Sequence, residues 1–229
     1  DDNVAVGVEA LRDNSTANSN TAIGRSALKT NTTGTENVAV GPLALDEVTT
    51  ASNNTAIGSQ TLSAGGNGGG NTAVGRAALN ANTTAGLNTA VGYNALLDNT
   101  TGQQNVAIGA QALDANTTAS NNTAVGYNSL GANTSGAFNT AVGAFTLDAN
   151  TTGGNNTACG WNSLSATTTG GENTAVGSHA MQSNTGGPYN VAVGMRALRD
   201  NTTGARNVAI GRECLYQNTS GTDNVAACY

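Results

Sequence analysis

With 229 residues but only 3% aromatic and 10% charged side chains, the chain holds too few large groups for one wide core, and Gly, Asn, Thr and Ala fill their place. A formal net charge of −6, with 8 Lys and Arg scattered along the sequence, speaks against a nucleic-acid footprint. No apolar run approaches the roughly 18 residues that a membrane span requires.

One five-residue phrase, as in Asn105-Val106-Ala107-Ile108-Gly109, returns along the whole chain. Its Asn stands at Asn3, Asn20, Asn37, Asn54, Asn71, Asn88, Asn105, Asn122, Asn139, Asn156, Asn173, Asn190, Asn207 and Asn224, always 17 residues apart. A period kept without insertion is the mark of stacked, equal coils, because one extra residue would shift every later side chain out of register. The expectation is therefore a single repeat domain over 1–229, an all-β parallel β-solenoid of about 13 coils with a 17-residue repeat. At a strand spacing of about 4.8 Å such a stack would be a rod on the order of 65 Å long. Helices are disfavoured, since 17 fits no heptad and Gly, Thr, Val and Asn are weak helix formers.

Within the coil, positions 1 to 5 alternate and are rich in β-branched residues, which predicts a short strand. Position 4 carries the larger apolar group (Val6, Ile23, Val40, Ile57, Val74, Val91, Ile108), so it is expected to face inward and Ala at position 3 to lie on an outer stripe with the Asn of position 1. Leu at position 9, with Met181 as the one substitute, predicts a second apolar column on a second strand-like side. Gly at position 5 marks a sharp turn or close backbone approach, and only Cys228 departs from it. Asn-Thr-Thr-Gly runs such as 31–34 and 99–102 mark the other turn.

The link over 63–70 lacks Asn-Thr-Thr but keeps its length, so register is constrained more tightly than turn chemistry. Its glycines resemble a calcium-binding repeat superficially, yet Asn71 stands where a carboxylate is required, and no metal is expected. Cys159, in the place of Val or Ile, reads as a small buried hydrophobe, while Cys214 and Cys228 in consecutive coils are a candidate disulfide.

The phrase at 105–109 resembles the head repeat of trimeric autotransporter adhesins. The fuller unit over 88–102, Asn-Thr-Ala-Val-Gly-Tyr-Asn-Ala-Leu-Leu-Asp-Asn-Thr-Thr-Gly, is similar to repeats of phage tail-fibre and bacterial surface proteins. The likeness covers essentially the whole chain. It implies a left-handed β-roll, trimeric assembly and a role as a shaft or a surface-binding head outside the cell. The 17-residue coil is longer than the usual adhesin-head coil, and neither a coiled-coil stalk nor a self-cleaving chaperone domain is visible in the sequence.

No catalytic constellation stands out, and neither a catalytic residue nor a cofactor is expected. His179, the single histidine, has no nucleophile and orienting acid paired with it, and Asp98, Asp114, Asp148 and Asp200 sit in variable slots. Asn-x-Thr/Ser acceptor sequences make Asn14, Asn31, Asn82, Asn99, Asn116, Asn133, Asn150, Asn201 and Asn218 candidate glycosylation sites in one turn, with others at Asn53, Asn121 and Asn155. Turn preference alone also selects Asn-Thr-Thr. Tyr93, Tyr127 and Trp161 share position 6 in alternate coils, with Ala110 and Ala144 between, a row roughly 9.6 Å in step that fits sugar stacking or a two-coil duplication.

The expected function is that of a non-enzymatic extracellular fibre segment, adhesin or tail-fibre shaft that self-associates into trimers or end-to-end filaments, with no nucleic acid and no membrane insertion. Ice binding through Thr ladders and glycan binding through the aromatic row are the alternatives.

Overall fold

The computed structural model describes residues 2–64 and 67–228. Gly65 and Gly66, in the irregular link singled out above, lie outside the described residues, as do Asp1 and Tyr229. The chain divides into two compact units, Asp1–Thr118 and Ala119–Tyr229.

Each unit is a parallel β-solenoid with one three-residue strand per coil. The first holds β1 (Val4–Val6), β2 (Thr21–Ile23), β3 (Val38–Val40), β4 (Thr55–Ile57), β5 (Thr72–Val74), β6 (Thr89–Val91) and β7 (Val106–Ile108). The second holds β8 (Thr123–Val125), β9 (Thr140–Val142), β10 (Thr157–Cys159), β11 (Thr174–Val176), β12 (Val191–Val193), β13 (Val208–Ile210) and β14 (Val225–Ala227). Register is one full repeat throughout each unit: Ala22 pairs with Ala39 and Ala90 with Ala107 in the first, Ala141 with Ala158 and Ala192 with Ala209 in the second. Among the described residues there is no helix.

The strand faces the opposite way from the expectation drawn from hydrophobicity. Ala22, Ala39, Ala107, Ala141 and Ala175 are fully buried, whereas Ile23, Ile57 and Ile108 are exposed and the Val column of position 4 is exposed or half-buried. The reason is parity. The Asn of position 1 must point inward to hold the stack, and a two-residue strand period then carries position 3 inward with it and positions 2 and 4 outward.

The Asn bonds show why inward is obligatory. Asn20 Oδ1 accepts the main-chain N–H of Asn37 at 2.9 Å and its side-chain amide at 3.2 Å, while Asn20 Nδ2 donates to Gly34 O at 2.9 Å. The same Gly34 carbonyl accepts Asn31 Nδ2 at 2.9 Å, so two amides from opposite sides of one coil meet on a single oxygen. Asn173 repeats the scheme in the second unit, donating to Gly187 O at 3.0 Å and accepting Asn190 N at 2.9 Å. The irregular link breaks it once: Asn54 Nδ2 is buried without a hydrogen-bond partner, and the Gly68 carbonyl it would reach accepts Asn71 Nδ2, which also keeps its regular bond to Ala85 O. Outside the undescribed pair, register survives there, with Ala64 N bonded to Asn80 O at 3.0 Å and Asn67 N to Thr83 O at 2.8 Å.

The Leu column of position 9 is buried as expected, Leu28, Leu45, Leu79, Leu96, Leu130, Leu147 and Met181 without exposure. Its side of the coil is not a second strand. Positions 7 and 9 lie in the left-handed region (Ser26 at φ 58°, Leu28 at 48°, Phe145 at 55°, Leu147 at 51°), and position 17 does as well. Hydrogen bonds still join the coils on that side, alternately backward and forward: Ser26 N to Val8 O at 2.8 Å, then Leu28 N to Ala44 O at 3.0 Å. No Val, Ile or Thr occupies position 7, 9 or 17, because a branched Cβ tolerates positive φ poorly.

Candidate functional site

The described residues present two distinct surfaces. The first surface is the outward face of the strands. Positions 2 and 4 carry only Val, Ile, Thr, Ala and Cys, so the face has no ionisable carboxylate or base in any coil of either unit. Ile57 and Ile108 are each 41% exposed, and Val142, Val176 and Val193 also show large fractions of their surface. Cys159 belongs to this face through β10 and is a free, exposed thiol, which corrects the buried placement expected from its replacing Val.

The Thr columns behave differently from one another. At position 13 the hydroxyls are used internally: Thr83 Oγ1 donates to Thr100 O at 2.9 Å, and Thr151 Oγ1 to Thr168 O at 3.0 Å. At position 2, Thr21, Thr89 and Thr174 are half-buried on the strand face beside the aliphatic column.

The second surface is an edge of the second unit. Tyr127 and Trp161, both at position 6, are 48% and 52% exposed. Each meets a ring at position 7 of the next coil: Tyr127 and Phe145 at 5.2 Å between centroids and 81°, Trp161 and His179 at 4.5 Å and 90°. The backbone brings them together, since Phe145 N donates to Tyr127 O and His179 N to Trp161 O, both at 3.0 Å. These partners escape a reading based on the 17-residue column, but both pairs are separated by 18 residues, and that offset is the signal that finds them. Ser178 Oγ lies 2.9 Å from His179 Nδ1. Burial, then the neighbouring Arg196 and Arg199, hold the His179 pKa below its ordinary value. In the first unit Tyr93 has a cation partner instead, with the Arg76 guanidinium 5.6 Å from its ring centre.

The candidate glycosylation sites of the Asn-Thr-Thr turn are structural amides. Asn31, Asn82, Asn99, Asn116, Asn133, Asn150 and Asn201 are buried, and Asn14 and Asn218 are half-buried. Asn99, Asn133, Asn150, Asn201 and Asn218 donate Nδ2 to the carbonyl three residues on, at 3.0 to 3.2 Å. Asn14, Asn31 and Asn82 do likewise, and Asn116 Nδ2 donates to Asn99 Oδ1 at 2.8 Å. A sugar on Nδ2 would occupy the stack itself, so this column is corrected from acceptor to brace. Asn53, Asn121 and Asn155 are the exposed acceptors.

Cys214 and Cys228 form a disulfide with Cα atoms 5.4 Å apart. Half-burial pushes the carboxyls of Asp114 and Asp148 above their ordinary value, Asp200 pairs with Arg199 Nε at 2.7 Å, and Asp98 is exposed. Among the described residues no group of three or more His, Cys, Asp or Glu could hold a metal ion, no pocket is enclosed, and no helix is long and apolar enough to cross a membrane. One face thus presents an uncharged ladder and one edge of the second unit exposed aromatic rings. No family model, curated protein or solved structure matches the chain.

Proposed function

We propose that the chain is a non-enzymatic structural solenoid, a segment of an extracellular fibre, adhesin or tail-fibre shaft, whose strand face packs against the same face of further copies running parallel and in register. The observation that carries this is the uncharged ladder at position 4, Val or Ile in every coil but those of Cys159 and Ala227, exposed at Ile23, Ile57, Ile108, Val142, Val176, Val193 and Ile210 and half-buried at Val40, Val74, Val91 and Val125. Contiguous apolar faces of this kind mark interaction sites on soluble proteins. The partner is a second copy because only another ladder of equal rung height presents an aliphatic row at every step, and cyclic assembly around an axis along the stack brings identical rungs opposite one another. The acidic residues lie outside positions 2 and 4, so apposed faces bring no carboxylates together.

The test is sedimentation of the protein beside a Val142→Lys/Val176→Lys variant. Both sites are exposed, so the variant folds; the unsubstituted chain sediments as an oligomer, ideally a trimer, and the variant as a monomer. A monomer at all concentrations for the unsubstituted chain, or an unchanged oligomer in the variant, overturns the reading.

The same face supports a second reading, ice binding, because Thr at position 2 and Val or Ile at position 4 form one flat outward array. The position 13 hydroxyls, although at the surface, spend their donors on the next coil's carbonyls. Thermal hysteresis in the unsubstituted protein, abolished in the same double variant without a change in oligomer, would select this reading over the first.

A further inference from the structure

We infer that the aromatic edge of the second unit is a binding platform for an extended, neutral β-1,4-linked polysaccharide, with Tyr127 and Trp161 as its stacking rings. This site is distinct from the strand face and stands whether or not that face associates.

Three observations converge. Tyr127 and Trp161 occupy the same coil position two coils apart, which sets them roughly 9.6 Å from each other along the stack. In a β-1,4-linked chain every second sugar presents the same face, so a ligand lying along the stack offers one flat apolar face per ring at a step of that order. Each ring is also held in place: Phe145 and His179 meet them nearly at right angles, and a perpendicular neighbour covers at most one face of a ring. The rings are half in solvent at 48% and 52%, so the free faces are accessible.

The surroundings select a neutral ligand. Asn128 and Asn162 follow the two rings directly and bring no charge, and the small Ala144 lies on the coil between. The nearest arginines are engaged, Arg196 with Glu213 at 3.1 Å and Arg199 with Asp200 at 2.7 Å. Nucleic-acid bases also stack on such rings, but their phosphates require free cations. The preorganised rings limit the ordering cost of binding.

Trp161 is the single tryptophan, so its fluorescence reads the site directly. The probes are cellohexaose and chitohexaose, with maltohexaose, an α-1,4 chain that curls, as the contrast. Titration of the full chain gives a saturable change in Trp161 emission with at least one of the two β-linked hexaoses, at an affinity at least about tenfold higher than for maltohexaose. Tyr127→Ala, which leaves the reporter in place, weakens that binding about tenfold, the loss of one stacked ring. Phe145→Ala weakens it less, since Phe145 only positions Tyr127. Circular dichroism confirms that both variants keep the strand signal; a variant that loses it is replaced by Tyr127→Ser or Phe145→Leu. No saturable response to either β-linked hexaose, equal affinity for maltohexaose, or unchanged affinity in folded Tyr127→Ala overturns the inference.

Discussion

The main-chain carbonyl of Trp161 accepts the N–H of His179 at 3.0 Å, and the two rings stand edge to face with centroids 4.5 Å apart. A coil-to-coil backbone bond thus sets a side-chain pair that no single coil contains. His179 gains a proton less readily here than in water, because burial and then the Arg196 and Arg199 charges oppose the imidazolium. With the folded pKa depressed, the unfolded chain binds more protons, so the contribution to stability is full above the ordinary value of 6.5 and declines as pH falls through the depressed folded value. Trp161 emission should titrate with a midpoint below 6.5, and His179→Gln should abolish that transition while leaving the strand signal intact. A midpoint at or above 6.5 would show that the imidazole is not shielded.

The glycine column sets how closely coils approach. Gly177 has φ +133°, and a Cβ built there would lie 2.6 Å from both C and O of Gly194 in the next coil, so Gly177→Ala combines a forbidden backbone conformation with a main-chain clash. The expected cost is at least about 3 kcal/mol, or a melting temperature about 10 °C lower. Gly186 is the control: it has no positive φ, and the nearest atom to its added Cβ is 3.7 Å away, so Gly186→Ala should shift stability by less than about 0.5 kcal/mol. Thermal unfolding by circular dichroism compares the two directly, and equal effects would refute the steric account.

The period alone makes the architecture readable, because equal coils must stack and the Leu of position 9 must be buried. The face of the strand is not readable from apolar size. Val and Ile at position 4 outrank Ala in hydrophobicity, yet Asn37, through its bonds to Asn20 and Ala51, decides which parity points inward. A buried amide without its partners costs more than an exposed Val, and the hydrogen-bond ladder wins. The same ladder turns Asn31 and its column from surface acceptors into braces. Leu28 at φ 48° shows why the second side is not a strand: the clue in the sequence is the absence of branched residues at alternate positions, which only acquires meaning once the left-handed backbone is seen.

That ladder makes a quantitative prediction. Asn173 accepts Asn190 N at 2.9 Å and Asn190 Nδ2 at 3.2 Å, and donates to Gly187 O at 3.0 Å and Asn156 Oδ1 at 3.3 Å. Asn173→Ala strands several buried donors and acceptors together and should cost about 3 kcal/mol. Thr174→Val, one residue on but pointing outward and matching the Val found at Val191 and Val208, should change stability by less than about 0.5 kcal/mol. Denaturant unfolding of both variants measures the contrast, and a mild Asn173→Ala would mean that the amide ladder contributes little.

Cys159 offers a direct check on assembly. It lies on the strand face, it is the one free thiol among the described residues, and Cys214 and Cys228 are already joined to each other. In parallel, in-register copies the Cys159 rungs of neighbouring chains stand at equal height on apposed faces, about 10 Å apart when two sheets pack face to face, which is too far for a direct disulfide. A bis-maleimide whose spacer spans that gap, each maleimide adding one Cys159 thiol, should therefore link two chains and give a band of doubled mass on a denaturing gel. The band should vanish in Cys159→Ser and fall steeply in Val142→Lys/Val176→Lys, whose thiol is intact but whose face is charged. Antiparallel packing would leave the thiols apart, so an oligomer by sedimentation that never cross-links would keep the interface and reject its parallel register.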